Sequence, residues 1–326
     1  MIGEKRLESG AALLGESFRT RLSANTFRIA TVVILCVALS FLNSSFFSVE
    51  NMMNILRQMA VLLVISLGET VVILTAGIDL SIGGVMSLVG CVCAQLLSMN
   101  VPIPIVILTG ILIGVAFGAA NGLLVGPGKL PPFVATYGIM WIANGLALIL
   151  MQGQIIFGLS KDFRFLATGH VGMVPMIVII ALTLTLVVHL IATKTVFGKH
   201  VFALGANRVA AFYSGIRTTG TLIVVYALSG VTAAVAGMLQ TGRLDAAEAG
   251  MGESFQMLAI ASVVMGGTSL MGGEGGVFGT LIGALILTLV VNGMNLLDVP
   301  SLAHPLVTGA VILIAVFADA LTKERR

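Results

Sequence analysis

Apolar residues run through this sequence in long blocks, separated by short polar or glycine-rich breaks. Windows of about 19 residues, the length used to find bilayer-crossing helices, pick out segments near 27–47, 52–76, 80–99, 104–126 and 133–151. Five more lie near 174–193, 219–240, 254–271, 276–296 and 303–321. Each approaches the roughly 20 residues that the hydrocarbon core demands of a helix. The pattern predicts an all-α polytopic transmembrane bundle of about ten spans. In the Gly-rich run 266–283, broken helices are an alternative to clean spans.

The polar breaks carry an orientation. With the N-terminus inside, the inner segments hold Lys5, Arg6, Arg19, Arg21, Arg28, Lys129, Lys194, Lys199, Arg208, Arg217, Lys323, Arg325 and Arg326. The outer segments hold only Lys161, Arg164 and Arg243, and Arg57 falls within a span. Basic residues favour the cytoplasmic side of a membrane protein, and a missed or extra helix scrambles this split. Both termini are therefore expected in the cytoplasm. The layout is a cytoplasmic N-terminal segment 1–26, a transmembrane region 27–321 and a cytoplasmic tail 322–326. A periplasmic loop covers 152–173 and a cytoplasmic loop 193–220. Polar residues run from Met1 to Arg28 before the first apolar block, so no cleavable signal peptide is expected.

Composition agrees with a lipid-embedded chain. Of 326 residues, 58% are hydrophobic and 10% charged, against about 25% charged in a soluble domain. The 39 glycines and 6% aromatics suit helices packed through small faces. Cys36, Cys91 and Cys93 lie inside apolar stretches without a CxxC pair, and the four histidines are scattered. Neither disulfide, metal nor other cofactor is expected, and no nucleic-acid partner. No nucleophile–base pair stands out, so the chain is not read as an enzyme. It also lacks a GxxxxGK[ST] loop for nucleotide, so any work the chain does must draw its energy from another chain or an ion gradient.

The inner loop has its own pattern. Asn207 is a good N-cap, Arg208 to Ser214 can form two helical turns, and Gly215 is a natural stop. This short helix, carrying Val209, Phe212 and Tyr213, fits either the membrane surface or a groove on a cytoplasmic partner.

The phrase Ala203-Leu204-Gly205-Ala206-Asn207-Arg208, continuing Val209-Ala210-Ala211-Phe212-Tyr213-Ser214-Gly215-Ile216, resembles the cytoplasmic loop of permeases in ribose-type sugar ABC importers. The same family resemblance appears in Gly77-Ile78-Asp79-Leu80-Ser81, in Asn121-Gly122-Leu123-Leu124-Val125 followed by Pro131-Pro132-Phe133, in Gly266-Gly267-Thr268-Ser269-Leu270, and in Asn292-Gly293-Met294-Asn295-Leu296-Leu297. It covers roughly residues 50 to 320, in order. Leu67-Gly68-Glu69-Thr70 and the AFYSGI ending look most like the allose-type members.

The resemblance implies a monosaccharide importer in the inner membrane. Two permease copies, or this chain with a homologous partner, form the pore. Cytoplasmic ABC ATPase subunits drive it, and a periplasmic sugar-binding protein delivers the ligand. Asn207, Arg208, Val209, Phe212, Tyr213 and Gly215 then form the coupling helix. A permease for branched-chain amino acids and a proton-driven secondary transporter are the competing readings.

Two further patterns bear on the path. Gly110 and Gly114 lead to Asn121-Gly122, and Gly279 and Gly283 lead to Asn292-Gly293, five spans later, as an inverted repeat requires. Phe133, Tyr137 and Trp141 recur at i, i+4 and i+8 on one helical face, with Asn144 close to it. Tyr137, Trp141 and Asn144 suit a sugar's hydroxyls and C–H faces, and Phe133 suits packing. Asn121 and Asn292 join them as pathway candidates, although capping or bridging helices explains them equally. Glu69, an ionisable group inside a span, is costly enough to suggest function, or is held protonated by a neighbouring helix. Asp79 with Ser81 is expected to cap span three after a break at Gly77. Lys161, Asp162 and Arg164, with Arg243, Asp245 and Glu248, are candidates for meeting the delivery protein.

Overall fold

The structure is a computed structural model and describes Thr26 and residues 28–324. The rest of the expected segment 1–26, and Arg325 and Arg326 of the tail, lie outside the described residues.

Helices dominate. They are α1 (Arg28–Leu42), α2 (Val49–Leu74), α3 (Ser81–Ser98), α4 (Ile103–Val125), α5 (Pro132–Met151), α6 (Lys161–Thr168), α7 (Met176–Lys194), α8 (Val196–Ala206), α9 (Arg208–Tyr213), α10 (Thr218–Leu244), α11 (Glu253–Met265), α12 (Val277–Leu296) and α13 (His304–Glu324). Among the described residues seven are long and apolar enough to cross a membrane: α2, α3, α4, α5, α7, α10 and α12. Of the other expected spans, the eighth holds the shorter helix α11, 13 residues long. In α11 the cause is local. Gly266 and Gly267, the latter at φ +80°, end the helix after 13 residues, about 20 Å of rise. A non-helical link then runs to Gly276, where an unbroken eighth span over 254–271 was one possibility.

The layering follows from which helices carry apolar residues all round. From Ala60 to Leu74, α2 is buried on every side, and only Ser66, Glu69 and Thr70 interrupt its apolar surface. A helix hydrophobic all round belongs inside a bundle, and α2 is the hub against which α7, α10, α11 and α12 pack. With α3 and α10 it forms the inner layer; α4, α5 and α7 present most of their surface outward.

Small residues set the closest contact. In α4, Gly110, Gly114, Gly118 and Gly122 are buried or nearly so and share the stripe that meets α10. A Cβ on Gly122 would stand 2.5 Å from Ile223 Cα, and Gly118 and Gly114 abut the carbonyls of Tyr226 and Gly230. Backbone meets backbone here, as small-residue stripes permit in lipid. In α12, Gly279 and Gly283 abut Gly266 and Ser262 in the same manner.

The loop 152–173 is anchored, not merely solvated. Its helix α6 is capped by Ser160, whose Oγ accepts from Phe163 N–H at 3.4 Å, and it buries Phe163 and Ala167. Strand β1 (Ile156–Phe157) pairs with β2 (Ala246–Ala247) in antiparallel register. Arg164 forms a 2.9 Å ion pair with Asp245, and Leu159 N–H donates to Asp245 Oδ1 at 2.8 Å. Two of the residues considered for the delivery protein therefore clamp this loop to the end of α10.

Candidate functional site

The chain between α2 and α3, Thr75–Leu80, is not helical, yet Asp79 and Leu80 are buried. Irregular backbone at membrane depth survives only where protein satisfies its polar groups, and this link shows how. Asp79 N–H donates to Glu69 Oε1 at 3.2 Å. Leu80 N–H donates to Thr136 Oγ1 at 3.1 Å, and Ser81 N–H to Asp79 Oδ1 at 2.9 Å. Asp79 therefore caps the start of α3 from one position earlier than an N-cap residue, because Leu80 holds that place.

Its carboxylate does more than cap. Oδ1 accepts from Ser81 Oγ at 2.6 Å and Oδ2 from Ser229 Oγ of α10 at 2.8 Å. Asn121 of α4 donates through Nδ2 to Ser81 Oγ at 2.7 Å. One carboxylate thus ties α3, α4 and α10 together, with Glu69 joining from α2. Glu69 is 0% exposed, and its Oε2, like Asn121 Oδ1 and Tyr226 Oη, has no hydrogen-bond partner. Asn292 is also engaged. Asn51 Nδ2 donates to Asn292 Oδ1 at 3.2 Å, and Asn292 Nδ2 donates to Asn51 Oδ1 at 2.7 Å. Asn121 and Asn292 therefore each bridge two helices, Asn121 from α4 to α3 and Asn292 from α12 to α2.

The network makes a prediction of moderate size. In Asp79→Asn one accepting oxygen becomes a donor, so either Ser229 or Ser81 loses its partner. A buried unsatisfied group costs about 1–3 kcal/mol, which should lower the thermal midpoint of the purified protein by roughly 2–10 °C. A thermal-shift measurement in detergent checks it, and an unchanged midpoint would show the network to be dispensable.

At the end of α2 the link meets a second irregular segment. Gly273 N–H donates to Leu74 O at 3.0 Å, and a Cβ on Gly272 would stand 2.6 Å from Ala76 N. Gly205 of α8 lies against Leu74 O and Gly273 N. Three of the five segments that resemble one permease family, around Gly77–Ser81, Gly266–Leu270 and Ala203–Ile216, therefore gather at one corner.

From that corner α9 projects. Asn207 Oδ1 accepts from Ala210 N–H at 2.9 Å, and Gly215 takes the left-handed conformation, φ +82°, that glycine adopts without strain. Ala211 is buried beneath the helix, while Val209, Phe212 and Tyr213 are exposed.

On α5 the aromatic row faces outward. Phe133 stacks on Tyr137 with centroids 5.9 Å apart, and Tyr137 meets Trp141 edge-on at 6.2 Å. Trp141 is 59% exposed. Asn144 departs from the row: it is buried against Gly84 of α3. The opposite end of the bundle carries one further polar contact, Arg57 Nη2 lying 3.0 Å from His170 Nε2.

Ser229, Thr136 and Asn51 were not foreseen from sequence. Thr136 stands within the motif following Pro132 and could have been flagged there. Ser229 and Asn51 have no local mark, since their partners are 150 and 241 residues away.

Comparison with known proteins defines the class. The model of a family described as branched-chain amino acid transport system / permease component matches residues 51–316, and the chain belongs to that family. Among curated relatives, the ribose import permease protein RbsC of Haemophilus influenzae is 41% identical, the match covering 88% of this chain and 90% of the relative. The D-allose transport system permease protein AlsC of Escherichia coli K12 is 38% identical over 91% of each chain. The galactose/methyl galactoside import permease protein MglC of Salmonella typhimurium is 33% identical, covering 97% of this chain and 99% of the relative. No solved structure matches significantly.

Proposed function

We propose that this chain is the multi-pass inner-membrane subunit of an ATP-driven importer for a monosaccharide of the ribose or allose class. The observation that carries the reading is the corner: an exposed apolar helix, α9, mounted on the two irregular links that interrupt the bundle. Such a helix needs a partner surface, and movement there reaches the Asp79 network through Gly205 and Leu74. The names of the relatives supply the substrate class, and a cytoplasmic ATPase, a periplasmic sugar-binding protein and a second permease copy are the partners. The topology we adopt has ten spans, α1, α11 and α13 included, with both termini cytoplasmic and α4 and α12 as matching members of an inverted repeat.

Tyr137 and Trp141 are the residues we assign to the sugar path. They are aromatic, exposed and adjacent, and the row they form with Phe133 holds no fixed charge. Glu69, Asn121, Asn144 and Asn292 act from behind, holding the helices that border the path. The family description favours a second reading, transport of a branched-chain amino acid. Its ammonium and carboxylate would require charged partners that this row lacks.

Reconstitution decides between them. Proteoliposomes holding the permease with its ATPase and binding protein should accumulate labelled ribose or allose when ATP is supplied, and should leave leucine outside. Permease alone under a proton gradient should accumulate neither. Trp141→Ala should lower the ATP-driven rate roughly ten-fold, about 1.4 kcal/mol, at unchanged protein level, since its exposed ring supports no core. Uptake by the permease alone, or leucine in place of sugar, would overturn the assignment.

A further inference from the structure

Beside α9, a groove of about 480 Å³ opens between α8 and the start of α10. Phe197 and His200 of α8 line it, with Arg217 at the N-cap of α10 and Gly220 and Val224 within that helix. Its two ends differ in chemistry. Arg217 stands just before the first turn of α10 and has no ion-pair partner among the described residues. His200 faces the same space. Seven residues on, about 10 Å further along the helix, Val224 supplies an exposed apolar edge, and Phe197 adds apolar lining from α8. Lys194, Lys199 and Arg208 are on the same loop, and no Asp or Glu occurs between Thr193 and Gly220.

We infer that this groove holds an anionic phospholipid of the inner leaflet, its phosphate on Arg217 and His200 and an acyl chain along Phe197 and Val224. Positive charge beside an apolar channel is complementary to a phosphate joined to a hydrocarbon tail, and a free anion has no use for the apolar half. Basic side chains next to a membrane surface attract such lipids. Gly220 makes room for the tail: the nearest atom to a Cβ placed there is 4.0 Å away, so the backbone of α10 forms part of the groove wall. The inference goes beyond transport itself and places a lipid next to the coupling helix.

Native mass spectrometry of the purified full-length permease tests it, using micelles that contain equal phosphatidylglycerol and phosphatidylcholine. The wild type should retain phosphatidylglycerol about ten-fold over phosphatidylcholine, a comparison that needs no variant. Arg217→Gln removes the charge without filling the groove. Gly220→Leu fills the groove without touching the charge. Each should bring phosphatidylglycerol down to the phosphatidylcholine level while the protein stays monodisperse. Equal retention of both lipids by the wild type, or full selectivity in both variants, would overturn the inference. Competition by millimolar inorganic phosphate would make the groove a free-anion site, and displacement of the lipid by added ATPase would make it part of a protein interface; either result also rejects the lipid.

Discussion

Changing Phe212 and Tyr213 together to alanine should strip the permease of its ATPase and abolish uptake, while the folded bundle still inserts. Both rings point away from the protein, Phe212 63% and Tyr213 83% exposed, and they meet each other edge-on at 5.7 Å. A helix of six residues is unstable alone in water. This one is held by the Asn207 cap, by Ala211 beneath it and by the packing of Gly205 on Leu74. None of these supports involves the two rings. Their removal therefore costs the fold little, whereas buried aromatic anchors commonly contribute a few kcal/mol each to an interface. A joint loss of about 4 kcal/mol weakens binding close to a thousand-fold. Co-purification of the ATPase on a tagged permease reads this directly, with membrane protein level as the control. A double variant that keeps its ATPase and transports normally would reduce α9 to a connector on the membrane surface.

Much of this corner was legible in sequence. Asn207, the short helix after it and Gly215 are local features, set by side-chain capping and by the one residue that tolerates positive φ freely. The apolar blocks were legible for the same reason, since lipid imposes its length on each helix separately. Features that depend on distant neighbours were not. Glu69 stood out as a costly charge, but its use, accepting the N–H of Asp79 from an unwound link, depends on how α2 meets that link. The pairing of Asn292 with Asn51, 241 residues away, engages both of its amide atoms and has no local signal. Asn144 lies within one helical step of the Trp141 face, and only the position of α3 decides that it turns inward. Sequence periodicity fixes angles around one helix and says nothing of which sector a neighbour covers.

Gly118→Leu should prevent the permease from accumulating at all, and the contrast with Gly138→Leu shows why. Both glycines lie inside transmembrane helices, but Gly118 belongs to the four-residue repeat Gly110–Gly122, a spacing that suits close helix packing, whereas Gly138 is seven residues from the next glycine. In the structure a Cβ on Gly118 collides with the carbonyl of Tyr226 and stands 2.9 Å from Ala227 Cα, whereas around Gly138 nothing lies within 4 Å. Overpacking against side chains typically costs 1–3 kcal/mol because rotamers can shift. The backbone of α10 has no such freedom, and the only relief is to push α4 and α10 apart along the whole Gly110–Gly122 stripe. Separation also pulls Asn121 from Ser81 and loosens Tyr226, whose hydroxyl would stand 2.7 Å from a Cβ on Gly77. A cost of several kcal/mol then approaches the total stability of a protein, about 5–15 kcal/mol. Gly138→Leu, on the exposed side of α5, should stay within about 0.5 kcal/mol of the wild type, as surface changes usually do. Quantitative blotting of membranes, followed by size-exclusion profiles in detergent, separates the outcomes: normal levels and a monodisperse peak for Gly118→Leu would mean that α4 and α10 do not pack backbone to backbone.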